Sequence, residues 1–141
     1  MITSLMIFSF TASAQSPEAF RWKSRLIVLF TPTPDNALYR EQLDRLLQDQ
    51  EALRERKLVV LSASADGKAP LPSSFLSPKL AREYYAHFGV KPGEFVTVLV
   101  GLDGGAKYRA KGRITAPEDF FDLIDTMPMR RQELRQRGGG K

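Results

Sequence analysis

A chain of 141 residues, 43% hydrophobic and 26% charged, has the size and composition of one globular domain rather than a disordered segment. It contains no cysteine, which excludes disulfides, zinc–thiolate sites and thiol nucleophiles from its chemistry. The formal charge is +5, but residues 130–141 hold five cations against a single anion, so the body is near neutral and nucleic acid is not an expected partner.

Residues 1–14 are uncharged, carry the apolar stretch Leu5-Met6-Ile7-Phe8-Ser9-Phe10 and end in Ala12-Ser13-Ala14. Small residues at those positions suit signal peptidase, so cleavage near Ala14 is expected, followed by export to the periplasm or the exterior. The segment lacks a positively charged start. The alternative is an apolar arm or short helix packed on a cytoplasmic domain. Nothing else approaches the ~20 apolar residues of a membrane-spanning helix.

Arg25-Leu26-Ile27-Val28-Leu29-Phe30 reads as a strand buried on both faces, of the kind parallel sheets produce. Thr31-Pro32-Thr33-Pro34-Asp35 breaks it. From Asp35 to Arg56, Leu38, Tyr39, Leu43, Leu46, Leu47 and Leu53 recur at helical spacing and predict one amphipathic helix. Lys57 to Ser62 is a second buried strand, and the Gly-, Pro- and Ser-rich stretch 65–77 is a loop. Ser77-Pro78 opens the next helix, with Leu80, Tyr84 and Phe88 facing inward and Gly89 ending it. Phe95 to Val100 is a third strand, and Asp103-Gly104-Gly105 turns the chain into an antiparallel return over Ala106–Ala110. Thr115-Ala116-Pro117-Glu118 has capping-box spacing and starts a helix whose apolar face is Phe120, Phe121, Ile124 and Met127, with Pro128 as its stop. Residues 129–141 read as a short basic helix fraying into a tail.

The order β-α-β-α-β-β-α, with a right-handed crossover at the front and a hairpin behind, predicts an α/β thioredoxin-like core spanning residues 20–128, a mixed central sheet flanked by helices.

Three segments carry a family likeness: Trp22-x-x-Arg25-Leu26-Ile27-Val28-Leu29-Phe30, then Glu55-Arg56-x-Leu58-Val59-Val60, then Val98-Leu99-Val100-Gly101-x-Asp103-Gly104-Gly105-x-Lys107. In this order they resemble a family of uncharacterised domains found in bacterial exported proteins and in vertebrate sushi-repeat-containing and equarin-like matrix proteins. The resemblance runs from about Phe20 to Met127. It implies a thioredoxin- or peroxiredoxin-like fold and an extracytoplasmic setting, and it carries no catalytic residues to transfer. Leu102 departs from the family pattern, which has lysine in a Gly-Lys-Asp-Gly-Gly turn, so any role of that cation is not carried over.

Two candidate sites stand out, neither of them catalytic. The loop Thr31, Thr33 and Asp35 occupies the position at which thioredoxin-like proteins keep reactive cysteines. A hydroxyl there cannot replace a thiol, but the following helix N-terminus offers amides to an anion or a peptide carboxylate. The alternative role is local, with Thr33 or Asp35 capping the helix. Lys107, Arg109, Lys111 and Arg113 stand at a period of two and would share one strand face, as a polyanion-binding stripe or as protection of an edge strand. His87, the single histidine, has Glu83 one helical turn before it and sits near a helix C-terminus. No metal-ligand spacing or cofactor motif is present, and Asp66-Gly67 and Asp103-Gly104-Gly105 read as turns.

The expected function is therefore an exported, redox-inactive binding module, monomeric or weakly oligomeric, acting on an unknown protein or polyanionic ligand. The alternatives are a non-redox enzyme using the 31–35 loop and a polyanion-binding surface protein using the basic stripe.

Overall fold

The computed structural model describes residues 15–70 and 74–138. The expected signal segment 1–14 lies outside the described residues. Strand β1 (Arg25–Thr31) is buried along its whole length and occupies the middle of a four-stranded sheet. It pairs in parallel with β2 (Leu58–Ser64) and antiparallel with β3 (Val96–Val100), whose other edge carries β4 (Ala106–Lys111). The order β2-β1-β3-β4 is the mixed sheet expected from sequence.

Alternation along β1 feeds two cores. Leu26, Val28 and Phe30 face helix α3 (Pro78–Phe88), packing with Leu80, Tyr84 and Phe88. Ile27 and Leu29 face the opposite layer, which contains Tyr39, Leu46, Phe120 and Ile124. Ser77 caps α3 through Leu80 N at 3.3 Å, and Gly89 ends it at φ 61°, both as the sequence implies.

Three local expectations change. The helix expected from 35 to 56 is two, α1 (Ala37–Leu47) and α2 (Gln50–Glu55), because Asp49 leaves helical geometry and accepts a hydrogen bond from Ala52 N at 3.0 Å, capping a new start. Within α1 the buried positions are Tyr39, Gln42 and Leu46, whereas Leu47 is exposed. Thr115 does not cap α4 (Pro117–Asp125); its N–H and C=O are both held by the buried Gln42 amide, at 2.7 and 2.9 Å, and Ala116 takes the cap position. Helix α4 ends at Asp125, before Pro128, and Pro128 occupies the first turn of a fifth helix, α5 (Pro128–Gly138), which its fixed φ suits.

Helix α5 docks through charge. Arg25 and Arg130 are each 1% exposed. Glu133 receives Arg25 at 3.2 Å and Arg130 at 3.3 Å. Arg130 also donates to Asp125 at 3.0 Å and to Glu55 at 3.2 Å, and Asp125 is clasped from its other side by Arg56 at 2.9 Å. Arg56 lies over the Phe121 ring at 4.6 Å. Partial burial works to raise the Asp125 pKa, but hydrogen bonds from Arg56 and Arg130 outweigh it and hold the carboxyl below its ordinary value. The segment expected as a basic tail thus contributes Arg130 and Glu133 to the base of the sheet.

Candidate functional site

The loop after β1 is fixed at its start and open beyond. Thr31 is fully buried; its hydroxyl donates to Thr33 O at 2.7 Å, and its carbonyl accepts from Ala65 N at 2.9 Å and the Tyr85 hydroxyl at 3.1 Å. Thr33 and Asp35 are exposed. Neither caps α1: that role belongs to Asn36, whose side chain accepts from Tyr39 N at 3.0 Å. Asn36 is the better placed because residues 33–36 form a turn, closed by Asn36 N donating to Thr33 O at 3.2 Å, that leaves Asn36 directly before the first helical residue.

Around the C-terminal ends of β1 and β2, the described residues form three clefts that share walls. The first, of about 470 Å³, is bordered by Ser64, Asp66, Arg82, Tyr85 and Pro92. The second, of about 510 Å³, shares Asp66 and adds Thr33, Asp35 and Lys68. The third, of about 390 Å³, shares Asp35 and Pro70 and is floored by Tyr39, Leu43, Leu47 and Phe75.

Asp66 stands between the first two clefts. It accepts from Ser64 Oγ at 2.5 Å and from Lys68 N at 2.9 Å, and the serine hydrogen bond is the main cause holding its carboxyl below the ordinary value. Burial pushes the Tyr85 phenol up to about 12, so it stays protonated and donates. Ser64, Asp66, Lys68, Arg82 and Tyr85 were not singled out by sequence reasoning. Asp66-Gly67 was legible only as a turn, and Gly67 indeed adopts φ 75°.

On β4, Tyr108 and Ala110 turn inward, while Lys107, Arg109 and Lys111 stand on the exposed side. Each of these three cations meets an acceptor within the protein. Lys107 reaches Asp103 at 2.7 Å, Lys111 reaches Glu94 at 3.0 Å, and the Arg109 guanidinium donates to the Phe88 carbonyl at the end of α3. The register slips between Leu99 and Val100, next to Lys107, and Gly112 at φ 66° turns the chain before Arg113. Arg113 therefore leaves the strand row and lies 3.5 Å from the Tyr108 hydroxyl.

His87 is approached by Glu18, with Nδ1 3.9 Å from the carboxylate, rather than by Glu83. It borders a separate polar hollow with Arg21 and Asp103, away from Ser64 and Asp66. No group of three or more His, Asp or Glu among the described residues has metal-binding geometry. No described helix is long and apolar enough to cross a membrane.

Comparison with known proteins agrees with this architecture. A reduced 2-Cys peroxiredoxin of Plasmodium vivax is similar over 86% of this chain and 72% of its own, with a TM-score of 0.61 at 16% identity. AhpC of Mycobacterium tuberculosis is similar over 77% of this chain and 71% of its own, with a TM-score of 0.56 at 13% identity. Those likenesses show a thioredoxin-type fold, and peroxiredoxin-type thiol catalysis has no cysteine to use in this chain. In sequence, the chain is 34% identical over 122 residues to the rat sushi repeat-containing protein SRPX, covering 83% of this chain and 26% of that protein. It is 29% identical over 130 residues to the zebrafish coiled-coil domain-containing protein 80, covering 82% of this chain and 15% of that protein. The chain thus spans about a quarter or less of the length of these relatives. A family described as a domain of unknown function, DUF4174, matches residues 16–133, and this chain belongs to it.

Proposed function

We propose that the chain is an exported, redox-inactive binding module that receives an extended protein segment along the groove at the C-terminal ends of β1 and β2. The observation that carries this reading is the continuity of the three clefts through Asp66, Asp35 and Pro70. Ligands of open α/β sheets bind beyond the carboxyl ends of the strands, where loops diverge. A bound segment would place an apolar side chain against Leu43, Leu47 and Phe75 and a cationic one beside Asp35 and Asp66. Export is supported by the small-residue pattern ending at Ala14 and by the setting that the family resemblance implies.

The chemistry of the groove favours binding over catalysis. Ser64 is a hydroxyl that donates to a carboxylate, but the depressed Asp66 is a weak base at neutral pH, and the single histidine lies in a different hollow. The cations of β4 are occupied by Asp103, Glu94 and the end of α3, which supports edge protection for Lys107, Arg109 and Lys111 over polyanion binding.

The test pans a library of random extended peptides against the chain and measures the enriched peptides against variants. Binding is expected to fall at least ~10-fold in Leu43→Asp and Asp35→Lys and to be unchanged in the Lys107/Arg109/Lys111 triple alanine variant. Enrichment that ignores both groove variants, or no enrichment at all, would overturn the reading. Retention on a polyanion column that is lost in the triple variant and falls steeply with salt would put the stripe in its place.

A further inference from the structure

The two edges of the sheet are defended differently. Along β4 stand Lys107, Arg109 and Lys111, the kind of residue that blocks pairing with another strand. Along β2, the run Leu58–Ser64 contains neither a charged residue nor a proline, and Val59 and Val60 are half-buried. An edge of that composition accepts an added strand.

The chain itself already uses part of this edge. Segment 74–76 lies along β2 in parallel, bridged at Ser62 and Phe75. Ser62 N donates to Ser74 O at 2.9 Å, and Leu76 N donates to Ser62 O at 2.8 Å. Backbone groups alternate in direction along a strand, so the N–H and C=O of the even-numbered residues of β2 lie on the outer edge with those of Ser62. The odd-numbered ones face β1, as the Arg25 N to Lys57 O bond of 2.8 Å shows at the entrance of the strand. On the outer edge Ser62 is satisfied by segment 74–76, and Ser64 O accepts from Gly67 N at 3.3 Å. Val60, about 7 Å before Ser62 along the strand, has no pairing partner there among the described residues.

This open position adjoins the groove. The Tyr39 hydroxyl donates to Ser62 Oγ at 2.8 Å and the Tyr39 ring lies 5.3 Å from that of Phe75, which ties the third cleft to the middle of β2. Val60 packs on the same core layer as Leu43 and Phe75, two residues of that cleft. An N–H and a C=O side by side on a strand edge are matched by one chemistry, the backbone of another extended chain.

From this geometry we infer that the extended segment received by the groove continues along β2 next to segment 74–76 and adds a strand to the sheet at Val60. The inference rests on the groove reading and supplies its means of recognition. Main-chain hydrogen bonds at Val60 give affinity, and the side chains that meet Leu43, Leu47 and Phe75 give selectivity.

The experiment uses the full chain and a peptide enriched on it by panning, synthesised with a single backbone N-methyl group at each position in turn. Methylation removes one N–H and leaves the side chain in place. Affinity is expected to fall at least ~10-fold at one position, or at two positions two residues apart, and to change little at the positions between. With the unmodified peptide bound, hydrogen exchange of the Val60 amide should slow at least ~10-fold. A peptide that loses binding in Leu43→Asp, yet tolerates methylation everywhere and leaves Val60 exchange unchanged, would overturn strand addition while the groove reading stands. Failure to enrich any peptide, or binding that ignores Leu43→Asp, would overturn both together. Protection of Val60 in the free chain that grows with protein concentration would put a second copy on this edge and overturn the inference.

Discussion

The two ends of β1 place charge in opposite ways. At the Arg25 end, two arginines 1% exposed are locked among Glu133, Asp125 and Glu55, with α5 supplying Arg130 and Glu133. At the Thr31 end, Thr33, Asp35, Asp66 and Lys68 line open clefts, where their charges face solvent. Buried ions demand complete partners, so the first end tolerates little change. Solvated ions do not, so the second end is free to vary with a ligand. Charge that closes the fold and charge left open to solvent are separated along one strand.

The largest expected effect tests the closed end. Glu133→Ala leaves Arg25 and Arg130 without their shared carboxylate and should lower stability by about 3 kcal/mol in equilibrium denaturation, with groove binding retained by the folded fraction. A loss below about 1 kcal/mol would mean that α5 is not part of the domain's stability. Next comes Gln42→Leu, which removes both hydrogen bonds to the Thr115 backbone and should cost about 2 kcal/mol by the same measurement.

Acid sharpens the comparison without mutation. Asp125, despite its partial burial, is held below its ordinary value by the arginines. The native state therefore releases this proton more readily than the unfolded chain. Its stabilising contribution is full above about pH 4, the ordinary carboxylate value, and is lost as the pH falls through the lowered native value. Denaturant midpoints should fall between pH 5 and pH 2, and this acid loss should shrink in Asp125→Asn. At the small end, Lys111→Ala should change stability by about 0.5 kcal/mol or less, because the Glu94 pair is exposed. Thr33→Ala combined with Asp35→Ala should likewise stay within about 0.5 kcal/mol while weakening peptide binding.

The strands, the α3 cap at Ser77 and the Gly89 stop were legible because each rests on local pattern: an unbroken apolar run, a serine before proline, a glycine at positive φ. The break at Asp49 was also local, but the leucine periodicity running through it hid the signal. The burial of Gln42 and Arg130 has no local signature: Gln42 meets Thr115, 73 residues away, and Arg130 meets Glu55, 75 residues away, beyond the reach of any sequence window. The same holds for the groove. Thr33 and Asp35 were visible as a loop at a telling position, whereas Asp66 and Lys68 join them only because β1 and β2 run in parallel and end side by side. The basic stripe shows the opposite case: its period was real, but Asp103, Glu94 and the Phe88 carbonyl, which occupy it, come from three other segments.

The central claim is that binding belongs to the open end of the sheet. Its most direct test is an amide chemical-shift map of the full chain, titrated with a peptide enriched by panning. Shifts should concentrate at Thr33, Asp35, Leu43, Leu47, Asp66 and Lys68. Shifts concentrated instead on Lys107 to Lys111, or spread evenly over the sheet with none at the groove, would contradict the account.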